Sequence, residues 1–425
     1  MERIKKTQSI SPLRRTILFP SVALVLIPSL VLGGCATYPK VKVNKNPLPL
    51  TRAETETPEE LLLDVRIKIF DPGKLPKKKD AARGLSEEIR KAEGHFIAAQ
   101  LKNTMLKTGK WGAIRVVPDE SSSDEILVSG GILKSNGEVL EVKIEARDAT
   151  GRNWVREKKY STAVDTDMYR KLQNNSEIFQ NIYNQISNDL AAYFDTLTPE
   201  QIREIRQISE ISFAERLAPE VFTGYLQKDP KKNIVKIDRL PSDDDAMLAR
   251  IRRVRERDYM LVDTIDQHFS GLHREMTPRY NDWRKSRLDE MNMIREVDAK
   301  KRKHQSIGAA VMVLGTLVFT LLGVLVGSSE VISSGVSTSV QFGAREMFDA
   351  QKISEEAEIN KRAMEEMGVS FRTDIEPTII EVEGETIKLT GSAKAKYQQW
   401  SEVIGKLYKL ETGAVISSVN SAVPE

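Results

Sequence analysis

One cysteine, Cys35, stands in a chain of 425 residues. A single thiol cannot close an internal disulfide, and a free one is a liability in an oxidising compartment. Its sulfur is therefore either inert or consumed by other chemistry. The four histidines, His95, His268, His273 and His304, are the next candidates for metal or proton chemistry. His268 and His273 point about 140° apart on a helix and share a metal poorly. Gly130-Gly131 lies inside a strand pattern and matches no nucleotide fingerprint. No serine sits in a nucleophile elbow. Asp263 and Asp266 fall at helix spacing on a charged face, which reads as a solvated pair. No catalytic residue, metal ligand or cofactor is assigned, and the expectation is a protein that is not an enzyme.

The residues before Cys35 give its sulfur a use. Arg3, Lys5, Lys6, Arg14 and Arg15 face one acid, Glu2, and Ile17 to Leu32 carry no charge. Basic head, apolar middle and small residues are the layout of an export signal. The apolar run is short for a membrane span and contains Pro20 and Pro28, which disfavour a regular helix. Leu32-Gly33-Gly34-Cys35 resembles the lipobox of bacterial lipoproteins. That resemblance covers about the first 36 residues. It implies cleavage before Cys35, a diacylglyceryl thioether on its sulfur and a fatty acyl group, typically palmitate, on its new amino group. Each acyl methylene buried in lipid contributes roughly 0.8 kcal/mol, so several chains hold the protein firmly. Ala36 follows the cysteine. In lipoproteins of double-membrane bacteria an aspartate there resembles an inner-membrane retention signal. Its absence implies the outer membrane, with the protein facing the periplasm.

Losing residues 1–34 removes five bases and one acid, which lowers the net charge of +3 by four, to −1. Such a chain is not a basic nucleic-acid binder. Residues 36–58 are polar and proline-bearing and read as an extended tether.

The elements downstream follow from periodicity. Leu63, Val65, Ile67 and Ile69 alternate with Asp64, Arg66 and Lys68, a half-buried strand. A helix is predicted over 85–107, with Ile89, Ala92, Phe96 and Ala99 in one stripe. Strands are predicted over 113–118, 125–133, 138–148 and 153–160, joined by turn signals at Ser135-Asn136-Gly137 and Asp148 to Gly151. A helix along Ile178, Ile182, Ile186, Leu190 and Tyr193 closes the order β-α-β-β-β-β-α. This is an α+β sandwich, with helices on one face of an antiparallel or mixed sheet. The pattern over 60–160 resembles the small periplasmic domains of TolB amino-terminal regions and of curli- and flagellum-associated lipoproteins, which implies work by protein contact. The domain is bounded at 60–197.

Residues 198–304 read as helical. Thr198-Pro199-Glu200-Gln201 is a capping box, with Leu197 and Ile202 as a staple. Residues 233–240 read as a short strand. Ser242 to Asp245 start a helix, which Thr277-Pro278 interrupts and Tyr280 and Trp283 resume. The basic run 250–257 reads as a solvated helix face, balanced by Asp243 to Asp245 and Glu256.

Residues 305–343 are apolar and rich in Gly and Ser, without charge from Gln305 to Ser329. Ile307 to Val326 spans about 30 Å as a helix, one bilayer core. Gly308, Gly315, Gly323 and Gly327 share a broad face, and Gly323 to Gly327 has small-xxx-small spacing. With Cys35 outside the cytoplasm, a simple span would put Lys300 to Lys303 outside too, against the positive-inside bias. The open readings are a hairpin with 330–343 that enters a membrane and returns, an oligomer packed through the glycine face, or a buried core helix.

Residues 344–425 read as a charged helix, then a hairpin turning at Glu383-Gly384-Glu385, then a helix facing inward through Tyr397, Trp400, Val403, Ile404 and Leu407. This end resembles half of a BON-type envelope module, which implies a binding add-on. The expected function is a lipid-anchored scaffolding or assembly protein of the envelope. It would be held to the bilayer through Cys35, form homo-oligomers and contact envelope proteins. The alternative is an accessory component of an envelope transport or secretion complex, its apolar segment entering the membrane.

Overall fold

The computed structural model describes residues 43, 45–77, 82–121, 123–172, 176–229, 231–242, 244–305, 344–370, 378–382 and 385–412. Cys35 with its lipobox, and the glycines at 308, 315, 323 and 327, lie outside them.

The amino-terminal elements come in the order β1 (Val65–Lys68), α1 (Glu87–Leu106), β2 (Ile114–Val117), β3 (Ile126–Ser135), β4 (Val139–Asp148), β5 (Asn153–Ala163), α2 (Thr166–Lys171) and α3 (Gln180–Phe194). The five strands form one mixed sheet in the order β2-β1-β3-β4-β5. β1 runs parallel to both β2 and β3, and β3, β4 and β5 pair antiparallel. The parallel β1–α1–β2 unit needs the crossover that α1 supplies. The α+β class and the element order follow the sequence pattern.

Strand alternation builds the core. Val65, Ile67, Ile114, Val116, Val128, Leu140, Val142, Ile144 and Ala146 meet Ile97, Leu101 and Met105 of α1 and Ile182, Ile186 and Leu190 of α3. The turn between β3 and β4 needs a glycine: Gly137 has φ +84°, and a Cβ there would strike the Arg284 carbonyl.

The half-buried reading of β1 does not hold. Arg66, on the face opposite Val65, is only 5% exposed. A later helix covers that face, and Asp258 from that helix with Asp124 just before β3 supplies the charges that Arg66 needs when buried.

The remaining elements are α4 (Pro199–Leu217), α5 (Pro219–Phe222), β6 (Leu226–Asp229), β7 (Ile234–Ile237), α6 (Ala246–Gln305), α7 (Ala344–Ser370), β8 (Thr378–Val382), β9 (Glu385–Leu389) and α8 (Ala393–Thr412). The capping box of α4 is formed, with Gln201 N–H donating to Thr198 Oγ1 at 3.3 Å and Thr198 N–H to Gln201 Oε1 at 3.0 Å. β7 pairs with β6, a polar strand that shows no alternation to announce it.

α6 is 60 residues long, about 90 Å of helix. Asp245 starts it by accepting from the N–H of Met247 and Leu248 at 2.8 and 2.9 Å. The expected interruption at Thr277-Pro278 does not occur, and α6 runs through Pro278. Proline removes one backbone bond and crowds the preceding turn. The buried side chains on both sides, His273, Met276, Tyr280 and Trp283, hold the axis, and Thr277 Oγ1 donates to the His273 carbonyl at 2.7 Å.

α7 returns antiparallel along α6. Asn360 Nδ2 donates to Ser286 Oγ at 3.2 Å, while Met364 and Met367 pack in the cluster of Met276, Tyr280 and Trp283. Gly368 lets α7 close on α1, since a Cβ there would strike the Glu88 carbonyl. The β8–β9 hairpin and α8 finish the chain, and Tyr397, Trp400, Val403, Ile404 and Tyr408 of α8 join the main core. Among the described residues no helix is long and apolar enough to cross a membrane.

Candidate functional site

Two constructions stand out: a clamp on the segment that follows the lipobox, and a polar seam that fixes α6. Both lead to the same end of the molecule.

The clamp is a row of asparagines on α3. Asn181, Asn184 and Asn188 recur at helical spacing, so their amides share one face. Asn181 Oδ1 accepts from Leu48 N–H at 2.8 Å, and its Nδ2 donates to the Asn46 carbonyl at 3.0 Å. Asn184 Nδ2 donates to the Leu48 carbonyl at 2.7 Å. Asn188 donates to the Pro49 carbonyl at 2.9 Å and accepts from Thr51 N–H at 2.8 Å. Pro47 and Pro49 have no N–H to satisfy, so amides suffice to pair this strap. Gln180 Nε2 donates to Asn184 Oδ1 at 2.7 Å and so orients its amide. Lys45 bridges to Asp165 at 2.7 Å. The tether expected over 36–58 is thus bound from Lys45 to Thr51 along α3, and Ala53 N–H donates to the Thr108 carbonyl at 2.8 Å.

The seam runs along α6. Near its start, Arg66 of β1 meets Asp124 at 3.2 Å and Asp258 at 3.4 Å, and reaches Tyr397 Oη at 3.3 Å. Burial works against the Arg66 charge, but Asp124, Tyr397 and Asp258 outweigh it, and its pKa is raised. Arg115 of β2 spans Asp263 and Asp64 at 2.5 and 3.0 Å and lies over the Tyr259 ring. Asp266, expected to be solvated, is only 7% exposed. It accepts from Val116 N–H at 2.8 Å and pairs with Lys102. β2 is an edge strand, and this carboxylate covers one of its unpaired donors.

Further along, His273 stacks on Phe96 and bonds Gln100 at 3.1 Å. Tyr280 Oη donates to Glu93 at 2.7 Å. Arg284 forks onto Glu177 at 2.7 and 3.0 Å and lies 4.0 Å over the Tyr280 ring. Its side chain is fully buried, a burial that opposes the charge, yet Glu177 raises its pKa. At the last pins, Arg295 forks onto Glu138 at 2.8 and 2.6 Å, and Asn292 Nδ2 donates to Thr166 Oγ1 at 3.0 Å.

Two of the histidines are absorbed by packing. Burial holds His273 down to about 4 and His95 to about 3, the latter helped by His268. Both are neutral packing groups near neutral pH. His304 falls in the last turn of α6. The basic run 250–257 is balanced differently from the expectation: Arg252 pairs with Glu210 at 2.6 Å, and Arg255 donates to Ser209 Oγ at 2.6 Å. Among the described residues no group of three or more His, Cys, Asp or Glu is placed to hold a metal ion. An open depression of ≈ 450 Å³ is lined by Glu59, Glu60, Arg203, Arg206 and Gln207 and gathers no buried reactive group.

Sequence reasoning missed the asparagine row, whose signal was the spacing of Asn181, Asn184 and Asn188. It also missed the seam, because each member is a charged residue that looks solvated by itself. The chain matches no protein-family model, no curated protein and no solved structure.

Proposed function

We propose that this protein is a lipid-anchored scaffold of the bacterial envelope, tethered by acyl chains on Cys35 and working through protein contacts and self-association rather than catalysis. The observation that carries the reading is the unique cysteine placed directly behind a basic head and an uncharged apolar run. The strap supports it. Binding of Lys45 to Thr51 along α3 shortens the stretch between Cys35 and its first fixed point on the folded body to residues 36–44.

The reading predicts an outer-membrane protein facing the periplasm. Mass spectrometry of the native product tests it. The expected result is a chain beginning at a triacylated Cys35; a bare thiol, or residues retained before it, overturns the anchor.

A second reading has its own observation. The apolar Gly-rich sequence 306–343 is connected at both ends to helices, α6 and α7, that lie antiparallel. This favours an accessory role in an envelope complex, in which the segment enters a membrane, whereas the first reading packs it between copies through Gly308, Gly315, Gly323 and Gly327. Gly323→Leu with Gly327→Leu in detergent separates the two: a smaller oligomer assigns the face to self-association, and an unchanged size removes that role.

A further inference from the structure

We propose that the lipid on Cys35 and the apolar segment after α6 address the same bilayer, so that the end of the molecule carrying α2 and the β3–β4 turn faces that membrane. This rests on the lipid-anchor reading above and adds an orientation to it.

The strap enters the folded body at Lys45, which bridges to Asp165, the residue that caps α2. From there it runs along α3, Asn46 meeting Asn181 and Thr51 meeting Asn188. The chain before Lys45 therefore leaves beside α2. α6 passes the same place: Asn292 bonds Thr166, the first residue of α2, and Arg295 forks onto Glu138 beside the β3–β4 turn. The two departures are fastened within a few residues of each other on the folded body.

The lengths agree. From Asn292 to Gln305, α6 projects about 20 Å further. From Lys45 back to Cys35, the chain reaches at most about 35 Å. The reach available before Lys45 exceeds the projection of α6 beyond Asn292. α7 comes back along α6, so both ends of 306–343 belong to the same end of the body. The charge is suited to the location: Lys300-Lys301-Arg302-Lys303 falls in the last turns of α6, where anionic head groups attract cations.

The opposite end is far away. Lys236 lies on β7, packed against Ile208 and Ile211 of α4, whose Glu210 pairs with Arg252 near the start of α6. About 66 Å of helix separates Leu248 from Asn292. A protein bridging two membranes would need its departures at opposite ends.

The test uses the native, full-length protein with one introduced thiol, Lys171→Cys on α2 or Lys236→Cys on β7, both exposed positions. Each variant carries a donor fluorophore and is added to vesicles of phosphatidylethanolamine and phosphatidylglycerol with rhodamine-labelled head groups. The expected result is loss of most donor emission at position 171 and little at 236. Equal transfer, or greater transfer at 236, in protein that floats with the vesicles overturns the orientation and leaves the anchor standing. Wild-type protein that takes up the thiol label and fails to float removes the anchor, and the orientation with it.

Discussion

The packing of the sheet on its first helices and the packing of the long helix α6 differ in chemistry. On the α1 and α3 side the contacts are hydrocarbon: Ile67, Val142 and Ile144 against Leu101 and Leu190. Along α6 an apolar stripe that includes Ile251, Leu261 and Phe269 is joined by ionic, directional contacts, from Arg66–Asp258 through Lys102–Asp266 and Arg284–Glu177 to Arg295–Glu138. Apolar burial is non-directional and tolerates small slips and repacking. A buried pair contributes little net stability, because desolvation offsets attraction, but a broken one leaves a bare charge. Seven pins spread over about 55 Å, at residues 258, 263, 266, 273, 280, 284 and 295, cannot all survive a one-turn slide. The comparison teaches that the apolar contacts supply most of the stability and the polar seam fixes the register of a long helix.

The sharpest break is Arg284→Met, which leaves the buried Glu177 carboxylate without a counter-charge and with the Phe179 N–H as donor at 2.9 Å. A loss of about 3–5 kcal/mol is expected in denaturant unfolding. Adding Glu177→Leu should recover most of that loss; a double variant as weak as the single one would mean that the pair itself carries stability. On the hydrocarbon side, Leu190→Ala should cost about 2–5 kcal/mol with no such rescue. Asp266→Asn keeps an acceptor for Val116 N–H and removes the charge beside Lys102, so a cost of about 1–3 kcal/mol is expected.

His273 adds a pH dependence. It faces Glu177, Arg284 and Arg274, and burial holds it down to about 4. The unfolded chain takes up this proton near pH 6.5, before the folded one does. The stabilisation is therefore complete above about 6.5 and is lost as pH falls towards 4. His273→Gln should flatten the unfolding profile in that window, and a parallel profile would contradict the assignment. The smallest global effect is expected from Asn184→Ala with Asn188→Ala. The strap should detach and trypsin should cut faster at the exposed Arg52, while the unfolding midpoint hardly moves.

What the sequence disclosed follows the same division. Alternation located β1, β3, β4 and β5, and the Thr198 capping box located the start of α4, because periodic burial and local caps are written within a few residues. β6 was hidden because Gln227, Lys228 and Asp229 leave no alternation, although its partner β7 follows directly in the chain. Arg66 and Asp266 were misread because a charged residue looks solvated until the partner that buries it is known. Those partners stand 58 and 192 residues from Arg66 and 164 from Asp266. Pro278 was read as a break because packing from α1 and α7 does not show in the local sequence.

The central claim is that the seam holds α6 at Asn292 beside α2, where the strap departs. Pulsed dipolar spectroscopy between spin labels at Lys171→Cys and Glu296→Cys tests it most directly. A single narrow distribution centred below about 30 Å is predicted, since Thr166 and Asn292 touch and each label lies within two turns of that contact. A centre beyond about 40 Å, or several populations, would contradict the account.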